Sequence, residues 1–493
     1  MSLTACNPQS NKNESTENSI LKPCPGFSET GYPPLVDGAE CGELLVNENP
    51  DNPQSKKISL NILRLPAISP VAEKDPLFLI QGGPGGSSVE MAKQIHYVFW
   101  DVRKNRDLIF VDQRGTGKSN PLKCKKPPEA VNDWKEMQKR EWMDTEIQRC
   151  ADEFRASSAF YTTPYAVRDL DLVRQALGYE SINLWGGSYG TRVAMEYARQ
   201  FPANLRSMVL DGVAPVELAL PDYFARDAMQ SLTKINEHCL QDVNCALLYG
   251  NMLEKIAVIL KRLERAESEE KPITIEYPDP RHDQTKTMIL NAREFSMLIF
   301  SALYSRDLAA LLPKIISDAE KEDYQLLASL NDLATKSFAN LEISDAMRYS
   351  VVCNEDRSLS TSSESSATFL EYNFVEEMDR VCSRWPKTEL TADFYHPLKT
   401  DIPALLLSGG FDPVTPVFWA EKVNKKFGHS LSLQAPGGHH IVSTEGCVPQ
   451  LIAQFYERAS TKDLKVDCVQ NILPLPMDLG ANRENKKQEG VEK

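Results

Sequence analysis

An α/β fold with a mostly parallel sheet, interrupted by a helical insertion, is what this 493-residue chain predicts. Three observations carry that reading. Leu77–Ile80 and Leu108–Val111 are short unbroken apolar runs, the pattern of strands buried on both faces. Strand-like and helix-like stretches then alternate in the order β-α-β-α-β, which implies parallel strands covered by helices. After a long helical stretch, the strand pattern returns at Ala404–Leu407 and Leu431–Leu433.

The elements follow in order. Ile58–Leu65 alternates apolar and polar residues, as a half-buried strand does. Tyr165–Leu177 sets Leu170, Val173 and Leu177 on one helical face and stops at Gly178. Ile182–Trp185 reads as a strand, Thr191–Phe201 as a helix and Met208–Leu210 as a further strand. From about residue 217 the texture changes: 223–262, 290–335 and 366–384 read as amphipathic helices, and Ser358–Ser366 as an exposed loop. The chain therefore divides into a flexible tether (1–23), a first part of the sheet domain (24–216), a helical cap (217–398), a second part of the sheet domain (399–477) and a disordered tail (478–493). No internal repeat is visible.

Composition narrows the function classes. Acidic residues outnumber basic ones, 69 to 55, and the net charge of −14 repels phosphate backbones, so no nucleic-acid partner is expected. No apolar run approaches the roughly 20 residues of a membrane-spanning helix. The 11 cysteines contain no CxxC and no zinc-finger spacing with histidine. With Cys6 set aside, pairing in sequence order gives Cys24–Cys41, Cys124–Cys150, Cys239–Cys245, Cys353–Cys382 and Cys447–Cys468. The alternative is a set of reduced, buried thiols in a cytosolic enzyme. Leu3-Thr4-Ala5-Cys6 looks like the end of a bacterial lipoprotein signal, with Cys6 as the lipidated residue and the polar stretch Asn7–Ser19 as a tether. The basic and apolar regions of such a signal are missing ahead of it. The expected location is extracytoplasmic: secreted, periplasmic or lipid-anchored at the bacterial cell envelope.

The chemistry centres on Gly186-Gly187-Ser188-Tyr189-Gly190, a GxSxG sequence between a strand and a helix. A nucleophile on so sharp a turn needs small residues two positions to either side. The helix behind Ser188 favours negative charge, and the Tyr189 N–H points where an oxyanion would form. Ser188 needs a base. Of seven histidines, only His439 and His440 follow a late strand in a glycine-rich loop. Asp412, just past Ala404–Leu407, is the orienting acid, with Asp211 after Met208–Leu210 as its rival. Gln81-Gly82-Gly83-Pro84-Gly85-Gly86 follows a strand and supplies the second oxyanion donor, the N–H of Gly83. It does not fit the dinucleotide pattern GxGxxG. Gly117-Lys118-Ser119 resembles the end of a phosphate-binding loop, but Asp112 stands where the first glycine belongs. Asp112–Ser119 reads instead as a turn bracing the oxyanion loop. This serine chemistry implies neither a metal nor a cofactor.

These motifs together resemble the proline iminopeptidase group of α/β-hydrolases: Gly82-Gly83-Pro84-Gly85, DQRGTGKS at 112–119, GGSYG around Ser188, LDG at 210–212 and GGFDPVTP from Gly409. The likeness is to its secreted, tripeptidyl-aminopeptidase-like branch, which Glu40-Cys41-Gly42 and Cys447…Cys468 also match, and it covers roughly 24–475. There are two departures. Gln81 stands where many iminopeptidases carry histidine, and the usual Gly-His-Gly is Gly438-His439-His440 here. Position after Gly438 assigns His439 as the base, with His440 as the alternative.

The resemblance implies hydrolysis of peptides from a free N-terminus, with peptides as the partners of the site. Such an enzyme must recognise an α-ammonium, so a carboxylate should project into the cleft. Cys353-Asn354-Glu355-Asp356 in the insertion resembles a motif of the secreted branch, and Glu355, then Asp356, are the expected amine-binding residues. Esterases and amidases use the same constellation on non-peptide substrates, and a non-catalytic binding protein could retain the fold.

Overall fold

The computed structural model describes residues 20–24, 38–125, 140–279, 284–339, 343–360 and 368–479. Cys6 and most of the expected tether and tail lie outside them, as do residues 361–366 of the expected serine-rich loop.

Among the described residues, nine strands form one sheet. In chain order they are β1 (Leu21–Pro23), β2 (Glu40–Asn47), β3 (Lys57–Leu65), β4 (Leu77–Ile80), β5 (Leu108–Val111), β6 (Ile182–Gly187), β7 (Leu205–Asp211), β10 (Ala404–Gly409) and β11 (Ser430–Ala435). Their spatial order is β1-β2-β3-β5-β4-β6-β7-β10-β11. The six from β5 to β11 run parallel, and β1, β2 and β3 pair antiparallel at one edge. β4 and β5 are buried at every residue, as their unbroken apolar runs require, and β6 is buried at every residue with Asn183 inside it. Leu21–Pro23, expected in the tether, instead pairs with β2 as an edge strand.

Helices cover both faces: α1 (Ser88–Ile95), α2 (Arg140–Phe154), α3 (Thr163–Ala176) and α4 (Tyr189–Gln200) precede the insertion, and α13 (Val417–Asn424) and α14 (Val448–Arg458) follow it. One face of the sheet packs Ile109, Leu184 and Met208 with Val193 of α4, and the other packs Phe110, Trp185 and Leu407 with Phe455 of α14.

The insertion has its own core. It is built from α5 (Phe224–Gln241), α6 (Val243–Tyr249), α7 (Met252–Ser268), α8 (Ala292–Leu303), α9 (Arg306–Glu320) and α10 (Gln325–Ala339), with a hairpin, β8 (Ile273–Asp279) and β9 (Gln284–Leu290), that the helical reading did not foresee. Val243–Ser268 is long and apolar enough to suggest a membrane span. It is instead broken at Gly250, whose φ of +63° ends α6, and α7 turns Met252, Ile256, Ile259 and Leu263 into the cap core.

The last part of the insertion is divided: Phe369 joins that core, and the flanking helices turn to the sheet domain. In α11 (Asp345–Val351) and α12 (Phe374–Cys382), Ala346, Met347, Val351, Val381 and Cys382 pack with the sheet domain, as does Trp385. The chain thus returns across the sheet domain well before residue 399. Of the helix expected over 366–384, only Phe374–Cys382 is helical.

All five cysteine pairs are disulfides in the expected connectivity. Cys24–Cys41 closes the strand edge, Cys239–Cys245 the α5–α6 corner and Cys353–Cys382 the returning segment.

Candidate active site

Ser188 sits between β6 and α4 with φ +56° and ψ −126°. That backbone region is costly for a residue with a Cβ, and it persists because the surroundings over-determine it. A Cβ on Gly186 would collide with the carbonyl of Gly190, and one on Gly190 with the carbonyl of Ile80. The two glycines of the GxSxG sequence are therefore steric requirements of the turn. Ser188 is partly exposed while its neighbours Gly187 and Tyr189 are buried.

Asp412 follows β10 in a tight turn. Its Oδ1 accepts the N–H groups of Val414 (2.9 Å) and Thr415 (2.8 Å), and its Oδ2 accepts the Thr415 hydroxyl at 2.8 Å. Oδ2 also lies 2.9 Å from Nδ1 of His440. Burial alone would raise this carboxyl. The imidazole of His440 and the two N–H donors outweigh it and hold Asp412 below the ordinary carboxylate value. His440 answers in kind: burial would lower it, but the charge and hydrogen bond of Asp412, helped by Asp211, raise it. Tyr304, just after α8, sets its ring edge-to-face on His440 with centroids 5.1 Å apart.

His439, the base expected from its place after Gly438, is not paired with Asp412. Its ring stacks on Phe411 at 5.4 Å, and its Nδ1 lies 2.7 Å from the carbonyl of Leu303 in the cap. Burial lowers its pKa. The backbone here is pinned by the Phe411 N–H to the Gly438 carbonyl at 2.9 Å, so the second histidine falls over Asp412 and the first turns toward the cap. Asp211, the rival acid, does not meet the imidazole either; its carboxylate accepts backbone N–H groups of the loop beyond His440.

The glycine-rich loop after β4 lies against the nucleophile turn. A Cβ on Gly82 would stand 2.8 Å from Cβ of Ser188. The Gly82 N–H is engaged by Oε1 of Gln81 at 2.9 Å, which leaves the next amide, that of Gly83, as the donor candidate on this loop. Asp112 braces the loop from behind. Its Oδ1 accepts from the Ser87 hydroxyl (2.6 Å) and the Val89 N–H (3.0 Å), and its Oδ2 from Asn61 (2.8 Å) and the Lys118 N–H (3.1 Å). The GKS triplet is thus part of a structural turn. The returning insertion clamps the loop from the front, with the Ser344 N–H on the Gly85 carbonyl at 2.9 Å.

Glu355 and Asp356, expected to face a substrate amine, have no exposed surface at all. Glu355 accepts the Thr163 N–H (2.6 Å) and hydroxyl (2.8 Å), and both carboxylates face the guanidinium of Arg192 on α4, at 3.4 and 2.9 Å. Two carboxylates share one cation in a dry site. Burial is the largest effect on each, pushing Glu355 up to about 7 and Asp356 to about 6. Their position ties the returning insertion to α3 and to the helix that starts at Ser188.

Two family models match the chain. The "alpha/beta hydrolase fold" family matches residues 75–239, which hold the oxyanion loop and Ser188. The "TAP-like protein" family matches 367–468, which hold Asp412 and both histidines. The chain is an α/β-hydrolase. It is similar to the serine protease Hip1 of Mycobacterium tuberculosis, 29% identical over 233 residues, 43% of this chain and 44% of that one. It is similar to the tripeptidyl aminopeptidase of Streptomyces lividans, 30% identical over 188 residues, 35% of each. The protein YuaR of Escherichia coli matches at 24% over 433 residues, 80% of each chain. The matched stretch thus spans less than half the length of the two peptidases. Curated relatives named as a serine protease and a tripeptidyl aminopeptidase are thus similar to part of this α/β-hydrolase chain.

Three contributors to the site were not read from the sequence: Thr415, Tyr304 and the switch from His439 to His440. Thr415 stands three residues after Asp412, the spacing at which a hydroxyl can cap its own turn. Tyr304 had no such signal, because it reaches the site only through cap packing.

Proposed function

We propose that the protein is a serine exopeptidase that removes residues from the free N-terminus of peptides. The observation that carries the chemistry is the Asp412–His440 pair, 2.9 Å apart, at the sheet edge where Ser188 is held in a strained turn. In this reading His440, oriented by Asp412, takes the proton of the Ser188 hydroxyl as Oγ attacks the substrate carbonyl. The N–H groups of Tyr189 and Gly83 receive the developing oxyanion. His440 returns the proton to the leaving amine, and water then cleaves the acyl-enzyme by the same route. The raised pKa of His440 suits this cycle, since the imidazolium that forms is stabilised by Asp412. Restriction to a free N-terminus is supported by similarity to the tripeptidyl aminopeptidase and by the TAP-like match across Asp412 and the histidines. Five disulfides support an oxidising, extracytoplasmic location.

The test is a fluorogenic panel of mono-, di- and tripeptide substrates, each with a free and an N-acetylated terminus. Turnover confined to the free-amine series is expected. Equal turnover of both series would overturn the exopeptidase reading and leave an esterase or amidase on the same triad.

A further inference from the structure

We infer that Asp211 is a positioning residue for the catalytic edge, holding the loop that carries His440 in register with the strands that carry Ser188 and Asp412. This rests on the triad reading given above.

Asp211 is the last residue of β7 and has no exposed surface. It sits opposite Gly187 of β6 and opposite Leu407 of β10, so it lies between the strand leading into Ser188 and the strand leading into Asp412. Its backbone carbonyl accepts the N–H of Ser188 itself at 2.8 Å. Its side chain reaches the third element. Oδ1 accepts the Val442 N–H at 3.0 Å, and Oδ2 accepts the Ser443 N–H at 2.7 Å and the Ser443 hydroxyl at 2.5 Å. Ser443 in turn accepts the indole N–H of Trp185 in β6 at 3.0 Å. One residue therefore contacts the nucleophile's own amide and the two amides just beyond the base. Among the described residues no strand lies beyond β11 in the sheet, so these bonds supply the loop after it with a register that pairing does not. The next residue, Gly212, lies under the imidazole: a Cβ there would stand 3.2 Å from Cε1 of His440 and 3.0 Å from Oγ1 of Thr415.

A buried carboxylate is an expensive choice for a purely mechanical bolt. Burial pushes Asp211 up to about 6 despite its donors, and its charge adds to that of Asp412 in raising His440. The groups in contact with the imidazole are Asp412 and Thr415 from the loop after β10 and Tyr304 from the cap, and Asp211 from β7 acts on it through its charge without touching it. Tyr304 is held far above its ordinary value by burial and stays neutral, and Asp412 stays charged. Asp211 is thus the member of the set whose removal changes the charge around His440 without touching its hydrogen bond.

The experiment uses the intact disulfide-bonded chain and two readouts that do not depend on the peptide substrate: the rate of labelling by a fluorophosphonate and the turnover of a small activated ester, each against pH. Ser188→Ala sets the baseline; continued labelling there would refute the triad reading itself, not the role of Asp211. Asp211→Asn keeps one acceptor oxygen and loses the charge. It should slow both rates by roughly 10- to 10²-fold, the scale of a displaced catalytic group, with KM nearly unchanged. Its acid limb should move to lower pH, because His440 loses one of two carboxylates that favour its protonated form. Ser443→Ala keeps the charge and should slow both rates severalfold with the acid limb in place. Rates of Asp211→Asn within twofold of the parent, or slower rates with an unmoved acid limb, would overturn the inference. Should Asp211→Asn fail to fold, Ser443→Ala decides alone, and rates within twofold of the parent would overturn it.

Discussion

Asp412 and the pair Glu355–Asp356 are carboxylates with at most 3% of their surface exposed, yet burial leaves them on opposite sides of the ordinary carboxylate value. Asp412 receives two backbone N–H groups, a hydroxyl and an imidazole, all converging on one carboxylate. Glu355 accepts the N–H and hydroxyl of Thr163, but it shares a single guanidinium with Asp356, whose charge raises it. The difference lies in the neighbouring charge, an imidazole in one case and a second carboxylate on a shared cation in the other, not in depth. The first arrangement keeps an anion ready beside a base. The second favours a shared proton and serves as a bolt between the returning insertion and the nucleophile helix.

The largest effects should come from breaking the charged side of that comparison. Ser188→Ala and His440→Ala should each reduce kcat by on the order of 10⁶-fold, with unchanged circular dichroism. His439→Ala, which loses a stack and one hydrogen bond to the cap, should cost no more than about tenfold. A His439 effect as large as that of Ser188 would restore the first histidine as the base. Asp412→Asn should cost about 10⁴-fold, since the ring would lose both its orientation and its counter-charge.

The bolt should show itself in stability. Replacing Cys353 and Cys382 by serine releases the segment that carries Glu355 and Asp356. Denaturant unfolding should then show a loss of about 3–4 kcal/mol for a loop of this length. The smallest effect expected is on pH dependence. The folded value of Glu355, about 7, lies above its ordinary 4.5. Its contribution is therefore complete below the lower value and is lost as pH rises through the higher one. Melting temperature should fall as pH is raised across that window, and Glu355→Gln should flatten the fall. Asp356 and Asp211, both pushed to about 6, act in the same direction and leave a residual slope. A melting temperature that rises across the window would mean that Glu355 is held as an anion, as Asp412 is.

The local features of this protein were legible in its residues. β4 and β5 announced themselves because strands buried on both faces must be apolar throughout, and Ser188 because its turn admits only glycine two positions away. The five disulfides joined the sequence-order pairs proposed, each now a short local closure. What remained hidden depends on distance and direction in space. His439 and His440 are chemically identical neighbours, and only the backbone pinned between Phe411 and Gly438 turns one toward Asp412 and the other toward Leu303. Glu355 carries the residue type an amine site needs. Its fate was set by Thr163 and Arg192, distant in sequence, which fold onto it and leave it no surface. Periodicity and turn chemistry act through neighbours along the chain, whereas the state of a buried charge depends on which remote donors the packed fold brings to it.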